Sequence, residues 1–217
     1  MNRLSALVTG VIAAAALATT AATAQQNTPS FFITGAGPGK GADLGGLAGA
    51  DAWCTELARG AGLPAGTWHA YLSAMAMPNA AAVNARDRIG AGPWFNVRGV
   101  MIAKDLADLH GDAPGLTKAT ILTEKGDTVN GRGDRPNRHD ILTGSQPDGT
   151  VYPGSDDTTC GNWTSSGEGS ARVGHHDRQG GGEFPTSWNS AHGSRGCSQA
   201  NLQGTGGDGL FYCFRVR

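Results

Sequence analysis

The chain has 217 residues, with 17 Lys and Arg against 18 Asp and Glu and a formal net charge of −1. That balance lacks the basic excess of a nucleic-acid binder. Glycine, at 35 residues, is about twice its usual share; its clusters follow no fixed period, which excludes collagen and repeat arrays and predicts a loop-rich chain.

Arg3, an apolar run over 4–17 and A-T-A at 22–24 form the charged head, apolar core and cleavage pattern of a secretory signal peptide. The run is too short for a convincing membrane span. The sequence thus predicts a secreted or periplasmic protein with no membrane span after signal cleavage. Residues 1–24 are the signal, 25–42 a polar leader and first strand, and 43–217 the domain.

F-F-I-T (31–34) reads as a short strand. G-A-G-P-G-K-G (35–41) is a loop that echoes a phosphate-binding loop, with the wrong spacing and no Ser or Thr after the lysine. From Leu44 to Ala61 apolar residues recur at steps of three and four, Cys54 among them, which predicts a helix stopped at Gly62. T-W-H-A-Y-L-S (67–73) alternates as a strand. Asn79 then caps a predicted second helix over 80–89, stopped at Gly90. Short strands follow at 93–97, 100–103 and 120–123. The final third is loops, apart from N-W-T-S (162–165), S-W-N-S (187–190) and a closing strand over 209–216. Early helices followed by irregular β structure define an α+β class.

Cys54, Cys160, Cys197 and Cys213 are an even set in an exported chain, so they imply disulfides, with three connectivities open. No C-x-x-C occurs, which argues against a zinc ribbon or a thioredoxin-type centre. Bridging Cys54 to Cys213 would tie the start of the domain to its end. On the chain-entropy model that loop is worth about 5 kcal/mol, and a Cys160–Cys197 loop about 4.

The order of parts resembles the C-type-lectin-like superfamily: a helix with the first cysteine (G-L-A-G-A-D-A-W-C, 46–54), the strand G-T-W-H-A-Y-L-S (66–73), a long loop with T-G-S-Q-P-D-G-T (143–150), then Cys160-Gly-Asn-Trp, Trp188-Asn189, Cys197 and Y-C-F (212–214). The helix-to-strand segment looks most like the endostatin branch. The resemblance spans about 45–217 and implies nested disulfides, Cys54–Cys213 outside and Cys160–Cys197 inside. It also implies paired terminal strands, with the functional loops on the opposite edge.

In sugar-binding members a Pro-containing triplet and a later Trp-Asn-Asp supply calcium ligands. Here Gln146-Pro147-Asp148 fills the triplet slot and Trp188-Asn189 the second, although Ser190 replaces the final Asp. The resemblance therefore implies a calcium site from Gln146, Asp148, Asp157 and Asn189, since calcium takes six to eight hard oxygens. A cis bond before Pro147 would turn both flanking side chains toward one ion. Tyr152 or Trp163 would stack on a sugar ring. The implied function is calcium-assisted binding of a carbohydrate or cell-surface glycan. The alternative is an endostatin-like adhesion or protein-interaction module without sugar or calcium.

Other residues offer rival chemistry. His175-His176-Asp177, with His192 or His139, is a candidate zinc set. The endostatin branch can carry zinc near its N-terminus, but 25–43 holds no histidine. Arg132-Gly133-Asp134 is an RGD tripeptide in a turn-rich loop, and Asn162-Trp163-Thr164 matches the N-glycosylation pattern. No G-x-S-x-G or H-E-x-x-H is present, and with all four cysteines bridged none is left as a nucleophile. The chain is read as a binding protein, not an enzyme.

Overall fold

The computed structural model describes residues 27–111 and 115–216. The predicted signal and the first leader residues lie outside them. The central strand is β8 (Gly207–Arg215), the nine-residue form of the predicted closing strand. Its C-terminal half is flanked by β1 (Phe31–Ile33), which pairs Phe31 with Phe214, and by β2 (Trp68–Ala70), which pairs Ala70 with Cys213; both are antiparallel. Its N-terminal half runs parallel to β5 (Asp140–Leu142). The sheet continues antiparallel through β6 (Arg172–His175) to the short edge strand β7 (His192–Gly193). A separate hairpin joins β3 (Trp94–Phe95) to β4 (Met101–Ala103).

The continuous apolar runs in β1 and β8 follow from burial of both sheet faces. Phe31, Ile33, Tyr212 and Phe214 point into one core with Trp94 and Trp188. Phe32, Phe211 and Cys213 point into the other, with Trp68 and Trp163. Helix α1 (Gly46–Gly60) covers the second core with Ala50, Cys54 and Ala58, a stripe at four-residue steps. Asp51 anchors this helix: its Oδ1 accepts the Ala70 N–H at 2.8 Å and its Oδ2 pairs with Arg88 at 2.6 Å. Disulfides join Cys54 to Cys213 and Cys160 to Cys197, the nested pattern the resemblance implied. The chain is α+β, and its first and last strands are neighbours.

Local propensity misled at several places. The predicted helix over 80–89 shrinks to one 3₁₀ turn, Ala85–Arg88. The A-A-A-V run instead doubles back, pairing Met77 with Ala80 and Ala74 with Val83, because Pro78-Asn79 turns the chain first. Residues 120–123 make only isolated bridges, Ile33 with Thr123 and Leu122 with Thr128. Two short helices escape the sequence reading. In α2 (Leu106–His110) the Asp105 side chain caps the N–H of Asp108. In α4 (Gln199–Thr205) Ser198 caps Asn201 and Gly206 ends the helix at φ 107°.

Residues 162–165 do not form extended structure. Cys160–Trp163 makes a single turn, α3, in which all four residues are left-handed, with φ of 50°, 64°, 53° and 66°. Each non-glycine residue there costs roughly 1–2 kcal/mol. The surroundings over-determine the turn. The Asp157 carboxylate accepts from the Thr159 N–H and hydroxyl and from the Gly161 N–H. The Asn162 amide exchanges two hydrogen bonds with the backbone of Met75, and the Trp163 indole donates to Ser73 O at 2.7 Å.

Candidate functional site: a loop cleft and a histidine cluster

The Gln146-Pro147-Asp148 triplet lies in a hairpin. Ser145 bridges Val151, and Gly149 N–H donates to Gln146 O. Pro147-Asp148-Gly149 is the three-residue loop that ends on a left-handed glycine, here at φ 84°. A side chain at Gly149 would lie 2.3 Å from His110 Nε2 and 2.8 Å from the Tyr71 hydroxyl, so only glycine fits.

The implied calcium ligands are engaged elsewhere. Gln146 Nε2 donates to Thr150 Oγ1 and Val151 O. Asp148 Oδ1 accepts from the Thr150 N–H and hydroxyl. Asp157 caps the left-handed turn. Asn189 faces the hairpin with its amide nitrogen, donating to Gln146 O, Pro147 O and the Tyr71 hydroxyl; its Oδ1 accepts from Ser187. The cis peptides among the described residues precede Pro93 and Pro136, so the bond before Pro147 is trans. Nothing in this arrangement indicates calcium.

Of the two candidate stacking residues, burial corrects Trp163 and leaves Tyr152 half-exposed. Trp163 is fully buried, so neither ring face can meet a sugar. Tyr152 donates or accepts at Ser190 Oγ, and the Arg172 guanidinium lies 4.9 Å from its ring centroid. Asn162 is committed to Met75, which argues against its use as a glycan acceptor. Asp134 of the RGD turn is paired with Lys118 and accepts the Gly131 N–H, leaving Arg132 and Gly133 exposed at the tip.

Beside the hairpin lies an open cleft of about 330 Å³, lined by His110, Pro147, Arg178, Glu183, Phe184 and Asn189 among others. Phe184 is 38% exposed. Arg172 holds this wall: it pairs with Glu183 at 2.7 Å and stacks between Tyr152 and Phe184. Opposite, His110 Nδ1 bonds to Leu106 O, and its Nε2 meets the Tyr71 hydroxyl at 2.8 Å. Burial lowers the His110 pKa, and burial raises that of Tyr71. No protein-family model matches the chain, and no curated protein matches it.

A histidine cluster stands behind the cleft wall. Asp140 lies directly opposite His175 in the β5–β6 ladder, while His192 on β7 pairs with Val173, one diagonal step away. His139 precedes Asp140, and its ring stacks on His175 with centroids 4.3 Å apart. Asp140 Oδ1 lies 3.2 Å from His139 Nε2, 3.3 Å from His175 Nε2 and 3.5 Å from His192 Nε2. His175 Nε2 and His192 Nε2 are 3.0 Å apart. Both Asp140 oxygens are buried and neither accepts a directed hydrogen bond. Burial raises the Asp140 pKa, but the flanking His175 and His192 outweigh it and hold the carboxyl below its usual range. The same carboxylate raises His192 against the effect of burial.

The zinc set read from the sequence thus needs revision. His139, His175 and His192 do converge, the first two buried and His192 half-buried at the sheet edge. His176 turns away, with its Nε2 on Asn130 O. Asp177 backs the cluster, its Oδ1 3.3 Å from His139 Nδ1. The missing member was Asp140. Two His-Asp dipeptides, 139–140 and 176–177, in a chain of six histidines were the available signal.

Proposed function

We propose that this is an exported, sugar-binding protein of C-type-lectin-like build that works without calcium at the hairpin cleft. The nested disulfides, the adjacent terminal strands and the cysteine-bearing helix α1 support the fold reading. The disulfides favour an oxidising compartment, and among the described residues no helix is long and apolar enough to cross a membrane.

One observation carries the functional reading. Asn189 docks the Gln146-Pro147 backbone against the 183–189 segment, and this contact makes an open cleft with an exposed ring, Phe184, beside Glu183 and His110. An apolar surface with a few placed polar groups is the chemistry that a sugar needs. Glycan-array binding tests it. Binding should be lost in Phe184→Ala and reduced in Glu183→Gln, and added calcium should leave it unchanged. An array with no hit, alongside specific capture of a protein ligand, would move the protein to the endostatin-like interaction class.

A further inference from the structure

The structure assigns a zinc-type metal site to His139, Asp140, His175 and His192, beyond and independent of the sugar-binding reading. The protonation pattern makes the first case. His175 Nδ1 lies 2.8 Å from Pro185 O, and His192 Nδ1 lies 3.0 Å from Gly193 O. His139 Nδ1 faces Asp177 Oδ1. Carbonyl and carboxylate oxygens only accept, so each Nδ1 carries the ring proton and each Nε2 presents a lone pair. All three lone pairs then converge on a buried carboxylate. Four acceptors gathered this closely around a buried carboxylate repel one another unless a cation lies among them.

Protonation alone does not resolve the contact. A charged His192 would answer one approach and leave His139 and His175 still facing Asp140. Answering all three would put three imidazolium rings around one carboxylate, two of them nearly inaccessible to water.

The spacing fits a metal. Zinc bonds of about 2.0–2.2 Å set the corners of a tetrahedron about 3.3–3.6 Å apart. Asp140 Oδ1 lies 3.2–3.5 Å from the three Nε2 atoms and His175 Nε2 lies 3.0 Å from His192 Nε2, while the ligand atoms of His139, Asp140 and His175 all lie within 4.8 Å of one another. His139, Asp140 and His175 form the buried base of the site. His192 is the adjustable fourth ligand, because it stands on a two-residue edge strand and its side chain is 27% exposed.

The surroundings are built for these rings. The Nδ1 partners are the outer acceptors that orient metal-bound histidines and fix their tautomer. Two rings are also backed by glycines that leave little room for a side chain: a Cβ on Gly180 would lie 2.3 Å from the His175 ring, and one on Gly182 3.1 Å from the His192 ring. Three imidazoles and one carboxylate suit zinc and its first-row neighbours, whereas calcium demands an oxygen shell. Four protein ligands close the coordination sphere, which is the pattern of a structural ion. Such an ion would join β5, β6 and β7 and close the segment between His175 and His192 that walls the cleft.

The test uses the disulfide-intact protein, stripped with chelator and then titrated with zinc chloride. A single zinc per chain is expected by elemental analysis, and cobalt(II) should give the intense visible bands of a tetrahedral nitrogen–oxygen site. Asp140→Asn and His192→Ala should each weaken zinc binding at least about tenfold, while His69→Gln keeps it. Near-UV circular dichroism confirms that each variant is folded. His192→Ala, on the exposed edge, decides the matter if Asp140→Asn fails to fold. A folded wild type that takes up no stoichiometric zinc or cobalt overturns the assignment. Equal zinc binding by wild type and a folded His192→Ala variant removes His192 from the site and overturns the four-ligand set.

Discussion

Asp140 and His175 face each other across the β5–β6 ladder, with Oδ1 3.3 Å from Nε2 and neither carboxylate oxygen hydrogen-bonded. If zinc occupies this point, it binds the native state and not the unfolded chain. A free concentration about a hundredfold above Kd adds about 2.7 kcal/mol. For a domain of this size that raises Tm by about 5–10 °C. Scanning calorimetry should show the rise in wild type and little of it in Asp140→Asn.

Asn189 holds the hairpin through its amide nitrogen, whose two hydrogens are shared among three acceptors, and its side chain is buried. Asn189→Ala removes the donor to Pro147 O and to the Tyr71 hydroxyl, while Gln146 O keeps the Gly149 N–H. The expected cost is about 2–3 kcal/mol in urea unfolding. Glycan binding should fall as well, because the cleft loses the contact between its two sides.

Gly149→Ala combines backbone strain with a clash against His110 and Tyr71. The two effects together should cost about 2–4 kcal/mol. Gly154→Ala is the control: its φ of 98° carries the strain, but nothing lies within 4 Å of the added carbon. Equal losses in the two variants would show that the His110–Tyr71 contact does not constrain the hairpin.

Asp157 separates the calcium reading from the structural one. Its carboxylate restrains the left-handed turn at Cys160–Trp163 through three accepted bonds. Asp157→Ala should therefore destabilise the protein by about 1–3 kcal/mol, by the same amount with and without calcium. A loss that appears only with calcium present would restore Asp157 as an ion ligand.

His110 supplies a pH test. Burial lowers its pKa in the fold, so the unfolded chain takes up the proton first as pH falls. Its contribution is fully present above the ordinary histidine value of about 6.5 and is lost as pH drops through the lower folded value. A His110→Gln variant should show a flatter stability profile across that window, measured by urea unfolding.

Parts of this protein were legible because short-range pattern carries them. The spacing of Ala50, Cys54 and Ala58 marks α1, and the runs F-F-I and L-F-Y-C-F mark strands buried on both faces. An even set of four cysteines announces two bridges. Propensity failed at 80–89 because backbone pairing across the Pro78-Asn79 turn outcompeted a weak helix preference. Strands β5 and β6 were missed because their ends are polar: D-I-L and R-V-G-H do not look like core strands until the histidine cluster explains the polarity.

The sequence by itself determined the α+β class, the first helix, the first and last strands and the capacity for two disulfides, since each rests on local periodicity or residue chemistry. Only the tertiary structure decided what the polar residues do. It turned the Gln-Pro-Asp triplet into a docked hairpin, made Asp157 a restraint on a left-handed turn and buried Trp163. It also gathered His139, Asp140, His175 and His192 from three strand ends. The physical reason is sheet register: it brings distant segments within a few ångströms, and no local pattern along the chain encodes that pairing.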